Sequence, residues 1–400
     1  MSIVKRGRYY FYSRIACRGI LPVLLLLNLL QPSAVSAQVE YDWSGYVVAL
    51  PIYQKMAAPT ARFFGFPQTN WIELTRIRLR PSLYVGPATR ISLEYEIDPL
   101  YSQNPLIIPL NTERTSRQAW DLTWHPVQEG RFTLIHYIDR LYLVHDFSFG
   151  RIILGRQRIA WGTGRIWNPT DLFNPINPAS FDKIEKDGAD ALTFKWYLSH
   201  FTDVTLVYNY RGANAPDNAA VRFRTNYRTM DLSLMGGWFD RRYIVGGDFA
   251  GNLWQAGIRG EGILSIPKKG WNGSFVRYIL GMDYQFTTRL YVMLEYQYNG
   301  EGLTDPLQYE WRRLYRGEIL NLNQNYVFAQ LMYQLHPLVY LIVSYNANLN
   351  DRSYFTLLLL SYSASDNATL SLGFQQFNGH MLDEYGAFPE SLFLKIEYYF

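Results

Sequence analysis

Cysteine is almost missing from this chain. Its 400 residues contain one, Cys17, so no disulfide framework and no paired-thiol chemistry is available. Histidine is scarce and scattered. His125, His136, His145, His200, His336 and His380 show none of the spacings by which a protein gathers ligands around a metal. The sequence has no Gly-x-Ser-x-Gly elbow, no HExxH pair and no phosphate-cradling glycine loop. These absences argue against an enzyme and imply no cofactor. After residue 37 no apolar run approaches the ~20 residues that a membrane-crossing helix needs.

A working excess of one charge is lacking too. The formal +4 comes from a basic N-terminal leader of Lys5, Arg6, Arg8, Arg14 and Arg18. Subtracting these five from 38 basic residues leaves 33, against 34 acidic residues, none of which lies in the leader. No nucleic-acid partner is supported by that balance. The leader is followed by an apolar segment, Ile20 to Leu30, broken only by Pro22 and Asn28, and then by Val35-Ser36-Ala37. Basic start, short apolar core and small residues at the end form a secretory signal peptide over 1–37, with cleavage expected between Ala37 and Gln38. Cys17 precedes the apolar core, which is the wrong side for lipoprotein attachment.

Aromatic residues are plentiful: 16% of the chain, with 32 Tyr and 11 Trp. They occur in short segments that alternate apolar and polar residues with period two, the pattern of strands with two different faces. In the last of these, Leu392, Leu394, Ile396, Tyr398 and Phe400 alternate with Phe393, Lys395, Glu397 and Tyr399. A strand closing on an aromatic residue resembles the terminal strand of Gram-negative outer-membrane β-barrels. The likeness implies that Tyr398 and Phe400 belong to the signal read by the barrel-assembly machinery. Alternation, aromatic abundance and a slightly negative mean hydropathy agree with such a barrel, which sets one row of each strand against lipid and the other around a polar interior.

Residues 38–400 show no linker or composition shift, so they are expected to form one all-β domain. This is a transmembrane antiparallel barrel of about 18 strands, with 16 as the alternative. A β-sandwich also alternates, but rarely reaches this length as one unit. Tight turns are expected at Gly86-Pro87-Ala88, Ser148-Phe149-Gly150, Tyr227-Arg228-Thr229, Ala250-Gly251-Asn252, Thr287-Thr288, His336-Pro337 and Ser365-Asp366-Asn367. Longer connections are expected near 54–69, 99–132, 162–189, 211–219, 264–273, 299–324 and 377–390. Short turns on one rim and long loops on the other fit a barrel inserted from the periplasm.

The second hairpin carries the sharpest charge pattern. Arg76, Arg78 and Arg80 alternate with apolar residues on one strand, and Glu94, Glu96 and Asp98 do so on the next. If the turn centres on Pro87, Arg80 faces Glu94, Arg78 faces Glu96 and Arg76 faces Asp98. Charges avoid hydrocarbon, so both rows are expected inside. There they are either a structural ladder or the source of a transverse field across a water-filled pore. On the second reading, Arg78→Glu lowers anion preference while the barrel still assembles. Arg156 with Arg158, and Arg222 with Arg224, are further pore-lining candidates.

A loop rich in Asn-Pro steps follows Arg158. It runs Trp161-Gly162-Thr163-Gly164-Arg165-Ile166-Trp167-Asn168-Pro169-Thr170-Asp171 and continues through Asn174-Pro175 and Asn177-Pro178. Such steps keep the chain extended and turn-rich. Residues 155–178 are similar to a segment of outer-membrane barrels of the porin and alginate-export type. That likeness implies an infolded loop, with Arg165, Asn168 and Asp171 as candidate constriction residues; an ordinary loop on the rim is the alternative.

The function expected from all this is passive, selective passage of small polar or anionic solutes across the outer membrane, with membrane lipid as surroundings and a homo-oligomer as a further possibility. Two rivals stand beside it: a barrel that exports or anchors a polysaccharide, and a plugged surface scaffold or adhesin.

Overall fold

The structure is a computed structural model that describes residues 39–104, 117–173, 185–213, 215–315 and 319–400. The leader 1–37, the Ala37–Gln38 junction and both Asn-Pro steps at 174–178 lie outside these residues.

Among the described residues nineteen strands form one antiparallel sheet. They are β1 (Val39–Lys55), β2 (Thr69–Val85), β3 (Thr89–Ser102), β4 (Thr123–Glu129), β5 (Phe132–Phe147), β6 (Gly150–Gln157), β7 (Ala189–Ser199), β8 (Thr202–Asn209), β9 (Asn218–Tyr227) and β10 (Met230–Phe239). The remainder are β11 (Arg242–Leu253), β12 (Ala256–Pro267), β13 (Phe275–Gln285), β14 (Leu290–Asn299), β15 (Asn325–His336), β16 (Val339–Asn348), β17 (Tyr354–Ser365), β18 (Ala368–Asn378) and β19 (Glu390–Tyr399). Short helices α1 (Ala58–Phe64) and α2 (Trp311–Tyr315) lie in connections.

The sheet closes on itself. β1 pairs with β19 from Tyr46↔Tyr399 to Lys55↔Glu390, and with β2 on its other edge. Closure leaves no free edge, which is the only way a sheet satisfies its backbone in hydrocarbon. Eighteen strands make the wall. The nineteenth, β4, pairs only with the outer half of β5, above the place where β6 pairs with its inner half. No helix among the described residues is long and apolar enough to cross a membrane.

Both described ends of the wall lie on the rim of the short turns, as expected, and the long connections lie on the opposite rim. The register of the second hairpin is the expected one, with Arg78↔Glu96 and Val85↔Thr89. Two expectations are corrected. The turn expected at 250–252 falls at Trp254–Gln255, because β11 and β12 stay paired to Leu253↔Ala256 and Trp254 adopts φ 54°. The rims are also less unequal than expected: Asp240 and Arg241, at φ 50° and 64°, join β10 to β11 tightly on the long-loop side. Two successive left-handed residues match the twist of paired strands.

The faces follow the alternation. Leu192, Leu206, Val221, Leu234, Val245, Leu280 and Leu294 are exposed on the outside. The inward rows carry the charged and polar residues, together with apolar ones such as Ile72, Leu74, Ile279 and Phe328, and many are buried by connections that turn into the barrel.

Candidate functional site in the barrel interior

The connection from β6 to β7 turns into the barrel. Its residues 159–173 run along the inner wall and are fastened there by two strand carboxylates. Glu261 of β12 accepts the backbone N–H groups of Thr163 (2.5 Å), Gly164 (3.2 Å) and Thr170 (3.3 Å). Glu295 of β14 accepts those of Arg165 (2.9 Å), Ile166 (3.2 Å) and Trp167 (2.9 Å). Each buried carboxylate thus sits in a nest of three amides, which offset its desolvation. Gly162, at φ +96°, makes the approach possible, since a Cβ there would lie 2.4 Å from Glu261 Oε2.

Apolar packing holds the same strap. Trp167 is fully buried among Ile279, Met293, Tyr326 and Phe328, which project inward from β13, β14 and β15. Trp161 and Phe173 pack edge to face at 5.4 Å, and Phe173 meets Phe239 at 5.1 Å. The connection starts on β6, and β14 stands eight wall strands further round. The strap therefore reaches nearly the opposite side of an eighteen-strand cylinder.

The other end of this connection meets the charge ladder. Glu185 pairs with Arg80, with Arg140 at 2.8 Å and with Arg78 at 3.6 Å. Around it, Arg78 binds Glu94 (2.7 Å), Glu96 (2.6 Å) and Asp139, while Arg76 binds Glu96 (2.9 Å) and Asp98 (3.2 Å). Arg140 adds Glu94 at 2.9 Å, and Tyr137 donates to Glu96. Asp139 and Arg140 both reach the interior because β5 carries a bulge opposite Glu94 and Tyr95. An extra residue in one strand lets two neighbours point to the same face.

The ladder is therefore sealed: Arg78 and Glu96 are each only 2% exposed. Of its members, Arg80 keeps the most contact with solvent. Reversing Arg78 would set a new carboxylate among Glu94, Glu96 and Asp139, where an uncompensated buried charge costs about 3–5 kcal/mol. The expectation that Arg78→Glu spares the barrel gives way to one of misassembly.

The other sequence candidates divide in the same manner. Arg156 is buried, held by Asp190 at 2.8 Å and by the Ile138 carbonyl at 3.0 Å, whereas Arg158 is exposed. Arg222 reaches Asp248 at 3.1 Å, and Arg224 reaches Asp203 at 2.8 Å with about half of its side chain exposed. Among the strap residues, Arg165 presents an exposed side chain. Asn168 donates to the Gly164 carbonyl at 2.8 Å, and buried Asp171 takes Lys186 at 2.6 Å. Phe400 exchanges backbone hydrogen bonds with Gly45 at 2.8 and 3.0 Å, sealing the seam. Glu185, Asp139, Arg140 and Glu261 were not among the sequence candidates. Adjacent opposite charges at 139–140 and the inward parity of Glu261 with Arg259 were the available signals; Glu185 had none.

At the long-loop mouth a cavity of about 90 Å³ is bordered by Arg117, Arg242, Arg277, Arg313, Asp240 and Glu301. Asp240 accepts Arg117 (2.9 Å) and Arg211, and these two guanidinium groups hold it below the usual carboxylate range against the opposing effect of burial. No group of His, Cys, Asp and Glu among the described residues is arranged to hold a metal.

No protein-family model matches the chain, and no curated protein matches it at a significant level. Solved structures do. OccAB4 of Acinetobacter baumannii superposes with a TM-score of 0.55 at 10% identity, covering 92% of this chain and all of that one. OccD3 (OpdP) of Pseudomonas aeruginosa gives 0.54 at 9% identity over 91% of this chain and 92% of its own. A BenF-like porin from Pseudomonas fluorescens gives 0.56 at 9% identity over 90% and 98%. At such identities the likeness is one of architecture: the chain shares the closed eighteen-strand fold of outer-membrane porins of the Occ and OprD type.

Proposed function

We propose that the protein is an outer-membrane channel for passive, selective diffusion of small polar or charged solutes. The observation that carries this reading is a closed barrel with charged residues on its inward rows, narrowed by a strap fixed to its inner wall. Selection is assigned to charges that keep contact with water, namely Arg80, Arg165 and Arg224, with their carboxylate neighbours. The sealed ladder acts differently, setting the register of β2, β3 and β5 and anchoring Glu185. A strap across the interior weighs against a wide conduit for polymers. On this reading residues 1–37 are removed on export, cleavage falls after Ala37, and Tyr398 and Phe400 serve recognition by the assembly machinery. The barrel then works in the outer membrane without a cofactor.

The test is conductance of the full-length mature protein in a planar bilayer. Small, steady open-channel current with ion selectivity is the expected result. Absence of current under all conditions would favour a plugged scaffold, and block by an acidic polymer would favour polysaccharide handling. Selectivity should move with Arg224→Glu, whose side chain is exposed, by a measurable shift of reversal potential toward cations.

A further inference from the structure

On the outer surface, at the long-loop end of β10, β11 and β12, three cations stand together. Arg241 lies in the turn after β10, and Lys268 and Lys269 follow β12, where Arg242 pairs with Pro267. All three are exposed, and none has an ion pair among the described residues. The acid next to Arg241, Asp240, is already engaged by Arg117 and Arg211.

Directly below lies an aromatic ledge. Trp238 and Tyr243 are cross-strand partners on the outward row, edge to face at 5.0 Å, and Lys268 Nζ stands 5.9 Å from the Trp238 ring. Trp271, 71% exposed, lies in the same β12–β13 connection. Below the ledge the outward row loses bulk. Gly236 follows Trp238 on β10, and Gly247 and Gly262 face each other on β11 and β12. Two apolar grooves result on the hydrocarbon side. One, of about 520 Å³, is floored by Gly247, Gly260 and Gly262. The other, of about 470 Å³, is lined by Leu206, Tyr208, Ala219, Val221 and Gly236.

We propose that this face is a binding site for a phosphate-bearing, multiply acylated glycolipid of the outer leaflet. It rests on the outer-membrane reading above. Lys268, Lys269 and Arg241 take the phosphate, the Trp238–Tyr243 ledge lies at the depth of the headgroup boundary, and acyl chains fill the grooves. Charge complementarity selects the occupant: unpaired cations at the head of apolar grooves match a phosphorylated lipid and mismatch a neutral one. The distance fits as well. Gly247 lies four residues below Tyr243 on β11, a drop of about 13 Å at strand rise, within reach of an acyl chain.

Native mass spectrometry of the protein purified from outer membranes tests the site, with bis-phosphorylated lipid A, the same lipid stripped of phosphate, and inorganic phosphate as probes. Wild type is expected to retain the phosphorylated lipid and not the stripped one, and millimolar inorganic phosphate should not displace it. Replacing Arg241, Lys268 and Lys269 together by Ser should weaken retention about tenfold or more. Gly236→Leu should weaken it several-fold with phosphate dependence intact; a Cβ there meets nothing nearer than the Ile244 carbonyl at 3.6 Å, so the barrel tolerates it. Equal retention by the triple variant, or equal binding of the stripped lipid, overturns the proposal. Full displacement by inorganic phosphate, or no effect of Gly236→Leu, removes the acyl grooves from it. Failure of the wild type to appear as a heat-modifiable barrel in the outer-membrane fraction would instead sink the underlying reading.

Discussion

Glu384 shows how much one residue can hold. It lies in the connection between β18 and β19, fully enclosed, and accepts hydrogen bonds from Tyr326 Oη (2.5 Å), Asn348 Nδ2 (2.9 Å) and the Leu322 N–H (3.1 Å). Its own N–H donates to Asp351, which also accepts from Tyr309. Three long-rim connections thus meet at one residue. Burial pushes the Glu384 carboxyl up to about 7, with Asp351 adding to the rise and the three donors opposing it. The same surroundings push the Tyr309 and Tyr385 hydroxyls up. The folded value lies above the unfolded one, so the folded loops bind this proton more tightly. The stabilisation is complete below about pH 4.5, fades as pH rises through 7, and amounts to ~3 kcal/mol. Limited proteolysis at 379–389 should therefore be faster at pH 8.5 than at pH 6, and Glu384→Gln should remove the difference. An unchanged ratio in that variant would assign the pH effect to another group. Nothing in the sequence marked Glu384, because its burial is created by loops far apart in the chain.

Single strands and hairpins were the most legible level. Period two told inward from outward residues, and one proline turn gave the register that sets Arg78 against Glu96. What stayed hidden were departures from regularity. The β5 bulge shifts parity after Asp139, and the two-residue turn at Asp240–Arg241 uses left-handed conformations that its sequence does not advertise. The seam between β1 and β19 shows a similar local constraint. A Cβ on Gly45 would meet the Arg78 carbonyl at 2.4 Å and the Phe400 ring at 2.8 Å, so the ring closes over a position with no room for a side chain. Gly45→Val is expected to lower the yield of folded, heat-modifiable barrel severalfold without touching the interior. Full yield in a gel-shift assay would mean that the seam adjusts freely. The closing strand was readable from Phe400 backwards; its partner glycine was not, because contact across 355 residues leaves no local trace.

The interior of the whole barrel is set by a strap with two independent moorings. At one, Glu261 and Glu295 hold six backbone N–H groups; at the other, Glu185 enters the arginines of β2 and β5. The Asn-Pro steps hinted that this connection is stiff, yet only the assembled cylinder shows where it ends, since the moorings lie up to 130 residues away. Hydrogen bonds to a charged acceptor contribute about 1.5–3 kcal/mol each, so loss of Glu295 frees three donors and should loosen the middle of the strap. Loss of Glu185 leaves the arginines of the ladder with the carboxylates of their own wall, so the barrel remains paired. Because either mooring alone still keeps the chain across the interior, the paired change Glu261→Ala with Glu295→Ala and the single change Glu185→Gln should each raise single-channel conductance modestly. Removing all three carboxylates together should raise it by more than the two increments combined. That coupling follows from geometry, as two supports of one element depart from additivity when both are removed. Strictly additive conductances in a double-mutant cycle would mean that the two ends of the strap move separately, and the narrowing would then have to be assigned to the Trp167 contact with β13–β15 alone.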